Sequence, residues 1–331
     1  MIGWTGFALG AFMLAGGTAQ FLQLAWGLWV SELLVFAGLA VLGWQLLRFA
    51  PLRAMGLDPF APRSFGLGLA FGLVNYVAWA VPLMALAQAI FPRSMVERFD
   101  SAQIFERHST IELALVLLGV SLAAPIGEEL FFRGFLQRGV QEHRGAPRAI
   151  VVTAIIFSAF HLDPVGFAAR FELGVLFGLL AWRAGSLWPA IAAHAANNAL
   201  SSGLFLAAGE TKEADLVWWV PLTLFIVGNV ALLALVRFAS GRLESPRPMS
   251  LEPMAAAPPG RLFAPWLLAL ATAVALLLAV DLRGVQLNVL DAQLRPSKEL
   301  RKQDAVKELR AKARRGDASL EDYEALVRSL K

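Results

Sequence analysis

The sequence predicts an all-α polytopic membrane protein, a bundle of about eight or nine transmembrane helices, and three observations carry that prediction. Of 331 residues, 57% are hydrophobic and only 16% are charged, outside the range of an ordinary soluble domain. Apolar stretches recur from Trp4 onward, each near the roughly 20 residues that one crossing needs. The alternating ten-residue segments of an outer-membrane barrel are not seen.

Composition also narrows the chemistry. With no cysteine, disulfides, thiolate metal sites and a cysteine nucleophile are excluded. The formal charge of +4 is modest and its Lys and Arg lie mostly in loops and the tail. That pattern reflects membrane topology, and no basic patch interleaved with aromatics supports a nucleic-acid partner.

Residues 3–49 are too long for one span, and Ser31-Glu32 suggests a break that gives helices near 3–28 and 32–49. The first stretch lacks a basic leader and a cleavage site, so it reads as a retained helix. A loop with Arg48, Arg53 and Arg63 follows, then a helix over 65–91 ending at Pro92. Ser109 to Glu112 (S-T-I-E) reads as a capping box opening a helix over 110–139. Further helices fall near 147–161, 166–184, 187–207 and 215–238, separated by Asp163-Pro164, Gly185-Ser186 and the polar stretch Gly209 to Asp215. A proline-rich linker and an apolar run from Leu262 to Val280 come next. The charged tail begins at Asp281, breaks at Arg314 to Asp317, and has S-L-E-D (Ser319 to Asp322) capping a final short helix. The chain thus divides into N-terminal transmembrane helices over 1–109, a core over 110–207, C-terminal transmembrane helices over 208–284 with the linker at 239–261, and a charged helical tail over 285–331. Arg and Lys bias puts the loops after the second and the Glu-Glu helices on the cytoplasmic side, with the N-terminus inside.

Ionisable groups deep in apolar helices cost several kcal/mol each, roughly 3 even on lenient insertion scales, so they mark function. Glu128 and Glu129 are such a pair, followed by Arg133 one turn beyond Glu129. His161 and His194 lie in apolar segments, while His108 and His143 lie in loops. His194 and Asn198 are four residues apart, on one face of their helix. At 1.5 Å per residue from the cytoplasmic ends, Glu128 lies roughly 16 Å deep, His161 roughly 21 Å, His194 roughly 10 Å and Asn198 roughly 16 Å. Three helices therefore carry polar residues to a common level. Pro125 removes the backbone bond to Ser121, and Gly127 allows another backbone to approach closely. Glu129 with Arg133 also reads as a buried ion pair, and Asn197 as a packing group. Glu32, Arg170, Glu172 and Arg183 fall near expected helix ends, where long side chains reach the interface. Asn75 stands isolated.

The ordered motifs E-E-L-F-F-R (Glu128 to Arg133), F-S-A-F-H (Phe157 to His161) and H-A-A-N-N (His194 to Asn198) resemble the CPBP family of CAAX prenyl proteases and bacteriocin-processing enzymes, also called abortive-infection proteins. The resemblance covers about residues 110–207 and implies a catalytic intramembrane protease core there. It implies Glu128 as the base that activates water, His161 beside it, and His194 and Asn198 as oxyanion donors. Glu129 and Arg133 would hold the site together. The implied substrate is a protein or peptide within the bilayer, cut near its membrane-associated C-terminal part. The implied setting is an integral membrane protein of a bacterial inner membrane.

A zinc enzyme is the alternative, with Glu128, His161 and His194 as ligands and water in the fourth position. No H-E-x-x-H pair is present and Asn198 is a poor zinc ligand, which favours a glutamic mechanism without a cofactor. A non-enzymatic reading, as transporter or immunity-type scaffold, also stands open. The internal repeat common in transporters is not found.

Overall fold

The computed structural model describes residues 2–47, 49–57, 60, 62–100, 104–105, 110–208, 219–240, 304–315 and 317–330, with isolated positions between 267 and 290. Among them the chain is helical. Helices α1 (Gly3–Leu22) and α2 (Leu24–Leu46) form an antiparallel hairpin. A short α3 (Pro51–Met55) leads into α4 (Pro62–Ile90), and α5 (Arg93–Arg98) follows. The long α6 (Thr110–Arg144) is succeeded by α7 (Ala146–Phe160), α8 (Phe167–Ala184), α9 (Trp188–Ala208) and α10 (Trp219–Ala239). Five of these, α1, α2, α4, α6 and α10, are long and apolar enough to cross a membrane. The helices α7, α8 and α9 pack among them; His161 caps the end of α7, α8 carries Arg170 and Glu172, and α9 carries His194, Asn197 and Asn198. Their polarity comes from what they face.

One expectation is corrected at the first hairpin. The chain breaks at Gln23, where the backbone is extended and the side chain accepts the Trp26 N–H, and not at Ser31-Glu32. Ser31 and Glu32 sit buried in mid-helix, in a widely wound stretch of α2, because nothing there interrupts the backbone. End-of-helix exposure therefore does not account for Glu32. Arg170 and Glu172 lie inside the first turns of α8, each with a partner: Arg170 pairs with Asp163 at 2.6 Å and Glu172 accepts from Asn75 Nδ2 at 2.9 Å. Asn75 is accordingly not isolated.

The loops before α4 and α9 and the end of α6 meet at one end of the bundle. Leu187 N–H donates to Gly56 O, Trp188 Nε1 to Leu57 O, and Arg138 Nη2 to Gly185 O. From this shared end α4 and α9 run parallel, with Gly68 against Pro189 and Gly72 against Ala193. A Cβ at Gly72 would stand 2.2 Å from the Ala193 carbonyl oxygen, so only glycine permits this approach. Gly72→Leu is expected to destabilise the protein by about 1–3 kcal/mol through overpacking. Gly66→Ala, on the same helix with open space around it, should leave stability intact. Thermal unfolding in detergent compares the two, and equal midpoints would refute the seam.

An aromatic core lies between α2, α6 and α7. Phe36 stacks on Phe131 at 5.1 Å, Phe132 meets Phe157 edge-on at 5.2 Å, and Trp44 Nε1 donates to Gly134 O. In the tail, α11 (Asp304–Arg315) and α12 (Leu320–Ser329) bury Val306, Ala313, Tyr323 and Val327 with Leu287 in a separate cluster. The expected cap is present: Ser319 Oγ accepts Asp322 N–H, and Asp322 accepts Ser319 N–H. Ser319 donates its hydroxyl and its backbone N–H to Asp322 Oδ2, and these bonds hold the Asp322 carboxyl below its usual pKa range. The start of the α6 capping box at Ser109, almost all of the linker and most of the Leu262–Val280 run lie outside the described residues.

Candidate active site

Two wide turns shape α6 around its carboxylates. Pro125 has no N–H to give to Ser121, and the turn before it, Gly119–Ala123, opens so that Ala124 N–H bonds Gly119 O. A second wide stretch, Leu130–Gln137, follows the pair. Between them Gly127 lies against α2, with the Glu32 carbonyl oxygen 2.3 Å from where a Cβ would stand. The close approach expected of Gly127 is therefore made, and its partner is Glu32.

Glu129 is wholly buried and held from two sides. Its Oε1 accepts from Arg133 Nη1 at 2.7 Å and from His194 Nδ1 at 2.9 Å. Arg133, 1% exposed, also donates Nη2 to Gly174 O and lies 4.5 Å over the Phe157 ring. Phe177 stacks on His194 with ring centres 4.6 Å apart. These contacts leave neither Arg133 nor His194 room to turn. Since Glu129 can only accept while ionised, the His194 Nδ1 carries the proton and Nε2 faces the other way.

Glu128 is treated differently. Its side chain is 13% exposed, and Oε2 stands 3.8 Å from His194 Nε2, beyond a hydrogen bond. That oxygen is buried without a hydrogen-bond partner among the described residues. Arg170 on α8 adds its charge nearby while pairing with Asp163.

The structure brings Glu128, Glu129, Arg133 and His194 into one cluster. His161 joins less directly: Phe157 lies 5.1 Å from its ring and 6.0 Å from that of His194. His161 donates Nδ1–H to Phe157 O at 2.8 Å, which makes Nε2 of the neutral ring an acceptor. Asn198 donates one N–H to Val120 O in the wide turn above Glu128, and its Oδ1 accepts from Asn197 at 3.3 Å. The second N–H of Asn198 remains for a ligand. His108 lies outside the described residues, and His143 stays at the end of α6, away from the cluster.

Both histidines bond through Nδ1, which leaves Nε2 as the remaining ring nitrogen of each, and among the described residues no group of three His, Asp or Glu side chains is placed to hold a metal ion. The residue that sequence reasoning missed is Glu32. The signal was available: a carboxylate in an apolar run with no proline or glycine beside it belongs inside a helix, and Gly127 required a backbone neighbour.

Residues 110–200 match the family model of type II CAAX prenyl endopeptidases, Rce1-like. The stretch contains Glu128, Arg133, His161, His194 and Asn198, and the match agrees with the CPBP resemblance of the three motifs. No curated protein and no solved structure matches the chain.

Proposed function

We propose that the chain is an intramembrane glutamic endopeptidase that cuts a protein or peptide near its membrane-associated C-terminal part. The observation that carries this reading is the unequal treatment of two adjacent carboxylates. Glu129 Oε1 accepts from both Arg133 and His194, whereas Glu128 Oε2 stands 3.8 Å from His194 Nε2, beyond a hydrogen bond; the Oε2 atoms of both carboxylates are buried without a partner among the described residues. Glu129 therefore holds the site and Glu128 is free to react.

In the first step Glu128 takes a proton from water as the water oxygen bonds to the scissile carbonyl carbon. His161 Nε2, an acceptor, orients that water. The carbonyl oxygen becomes an oxyanion, met by the second Asn198 N–H beside the His194 ring. Glu129 holds that ring through Nδ1 and is itself paired with Arg133. Glu128 then passes its proton to the leaving nitrogen as the C–N bond breaks. Water's hydroxyl ends on the new carboxyl terminus and its proton on the new amine.

The chain is an integral membrane protein with five helices able to span among its described residues, so the substrate reaches the site from within or beside the bilayer. The family description supports a CAAX-type peptide as the first substrate to try. Membrane-protein termini compared by mass spectrometry between cells carrying the wild type and cells carrying Glu128→Gln test the reading. Substrates should keep their C-terminal segments only with the variant, and identical termini would sink it. With Glu128 as the base that activates water, cleavage of an isoprenylated CAAX peptide should persist after exhaustive chelation. Activity lost to the chelator and restored by zinc would overturn the metal-free mechanism.

A further inference from the structure

Glu32 is 3% exposed, and its Oε2 has no hydrogen-bond partner among the described residues. Its Oε1 has only Ser31 Oγ at 3.4 Å, and that hydroxyl already lies 3.0 Å from Leu28 O. The Gly127 contact fixes its backbone against the turn that carries Glu128, and the two carboxyl groups are electrostatic neighbours. No cation serves it: Arg133 is committed to Glu129, and Arg170 to Asp163.

We infer that Glu32 is a positioning residue for Glu128, acting as a neutral carboxylic acid whose O–H donates on the α2 side of the reactive carboxylate. The inference rests on the proposed role of Glu128. The charged groups around Glu128 are Glu129 and Arg133 on α6 and His194 on α9, with the Arg170–Asp163 pair at the start of α8 and Glu32 on α2 across the Gly127 contact. Arg133 is paired with Glu129 and Arg170 with Asp163, so neither arginine is left to balance both Glu128 and Glu32. An ionised Glu32 would therefore stand as an unmatched buried charge. A protonated Glu32 adds none and supplies a donor, restricting the rotamers of a side chain that otherwise has no fixed partner on that oxygen.

This role separates function from stability. Glu32→Gln keeps a neutral donor of the same length, and Glu32→Leu removes it while filling the same apolar space. With an isoprenylated CAAX peptide as probe, Glu32→Gln should stay within about threefold of the wild type, and Glu32→Leu should lose about tenfold or more in kcat with KM unchanged. The Leu variant should unfold at the same or a higher temperature, since an apolar residue replaces a buried polar one. Wild-type kcat in Glu32→Leu, equal losses in both variants, or a Leu variant that loses stability along with activity would each overturn the inference. Glu128→Gln measured alongside distinguishes the two levels: if it stays active, the endopeptidase mechanism fails. If it is inactive while Glu32→Leu is not, only the role of Glu32 fails.

Discussion

Glu128→Gln is expected to reduce kcat by about 1000-fold or more while the protein inserts and folds as the wild type does. The amide keeps the size of the side chain and cannot take a proton from water. Because Oε2 accepts no hydrogen bond among the described residues, the exchange breaks none there, and thermal unfolding should be unchanged or slightly later. The assay is cleavage of an isoprenylated CAAX peptide, with products read by mass spectrometry. Glu129→Gln should behave differently, losing stability as well as rate, because Glu129 is bonded to both Arg133 and His194. A Glu128→Gln protein that cleaves normally would remove the general base from the mechanism.

Arg133→Leu carries the largest expected effect on stability, a loss of about 3–5 kcal/mol. The guanidinium is buried with Glu129, Gly174 O and the Phe157 ring as partners, so its removal strands an ionised carboxylate away from water. Arg133→Leu combined with Glu129→Leu should recover part of that loss, since the stranded charge goes with it. Unfolding midpoints of the wild type, the two single variants and the double variant form the cycle. Additive losses would mean that the pair is not coupled and that the ion pair does little to hold the site.

The legible parts of the sequence were those set by periodicity and cost. Apolar runs placed the helices to within a few residues, and the expense of charge in an apolar helix singled out Glu128, Glu129, Arg133, His161 and His194. Depth along the helices sets Glu128 level with Asn198, whereas the bonds put His194 beside Glu129 and Asn198 beside Val120, about two turns further along α6. Polarity at Ser31-Glu32 resembles a boundary, but a helix ends where its backbone is interrupted or capped, as at Gln23. Glu32 and the Asn75–Glu172 pair stayed hidden for a related reason. Their partners lie on helices 97 residues apart in one case and across a glycine contact in the other, and a single sequence carries no trace of either pairing. The wide turns of α6 had a local cue in Pro125, but winding depends on which carbonyls the tertiary packing leaves to be satisfied.

The parallel seam of α4 on α9 has a consequence for biogenesis. A ribosome delivers α4 and α6 to the membrane well before α9, so a nascent chain carries both carboxylates and Arg133 with no imidazole between them and with the glycines of α4 uncovered. In the finished fold Pro189 and Ala193 lie on Gly68 and Gly72, and His194 lies beside Glu129. On the proposed mechanism the site is therefore complete only once α9 has been made and has packed on α4.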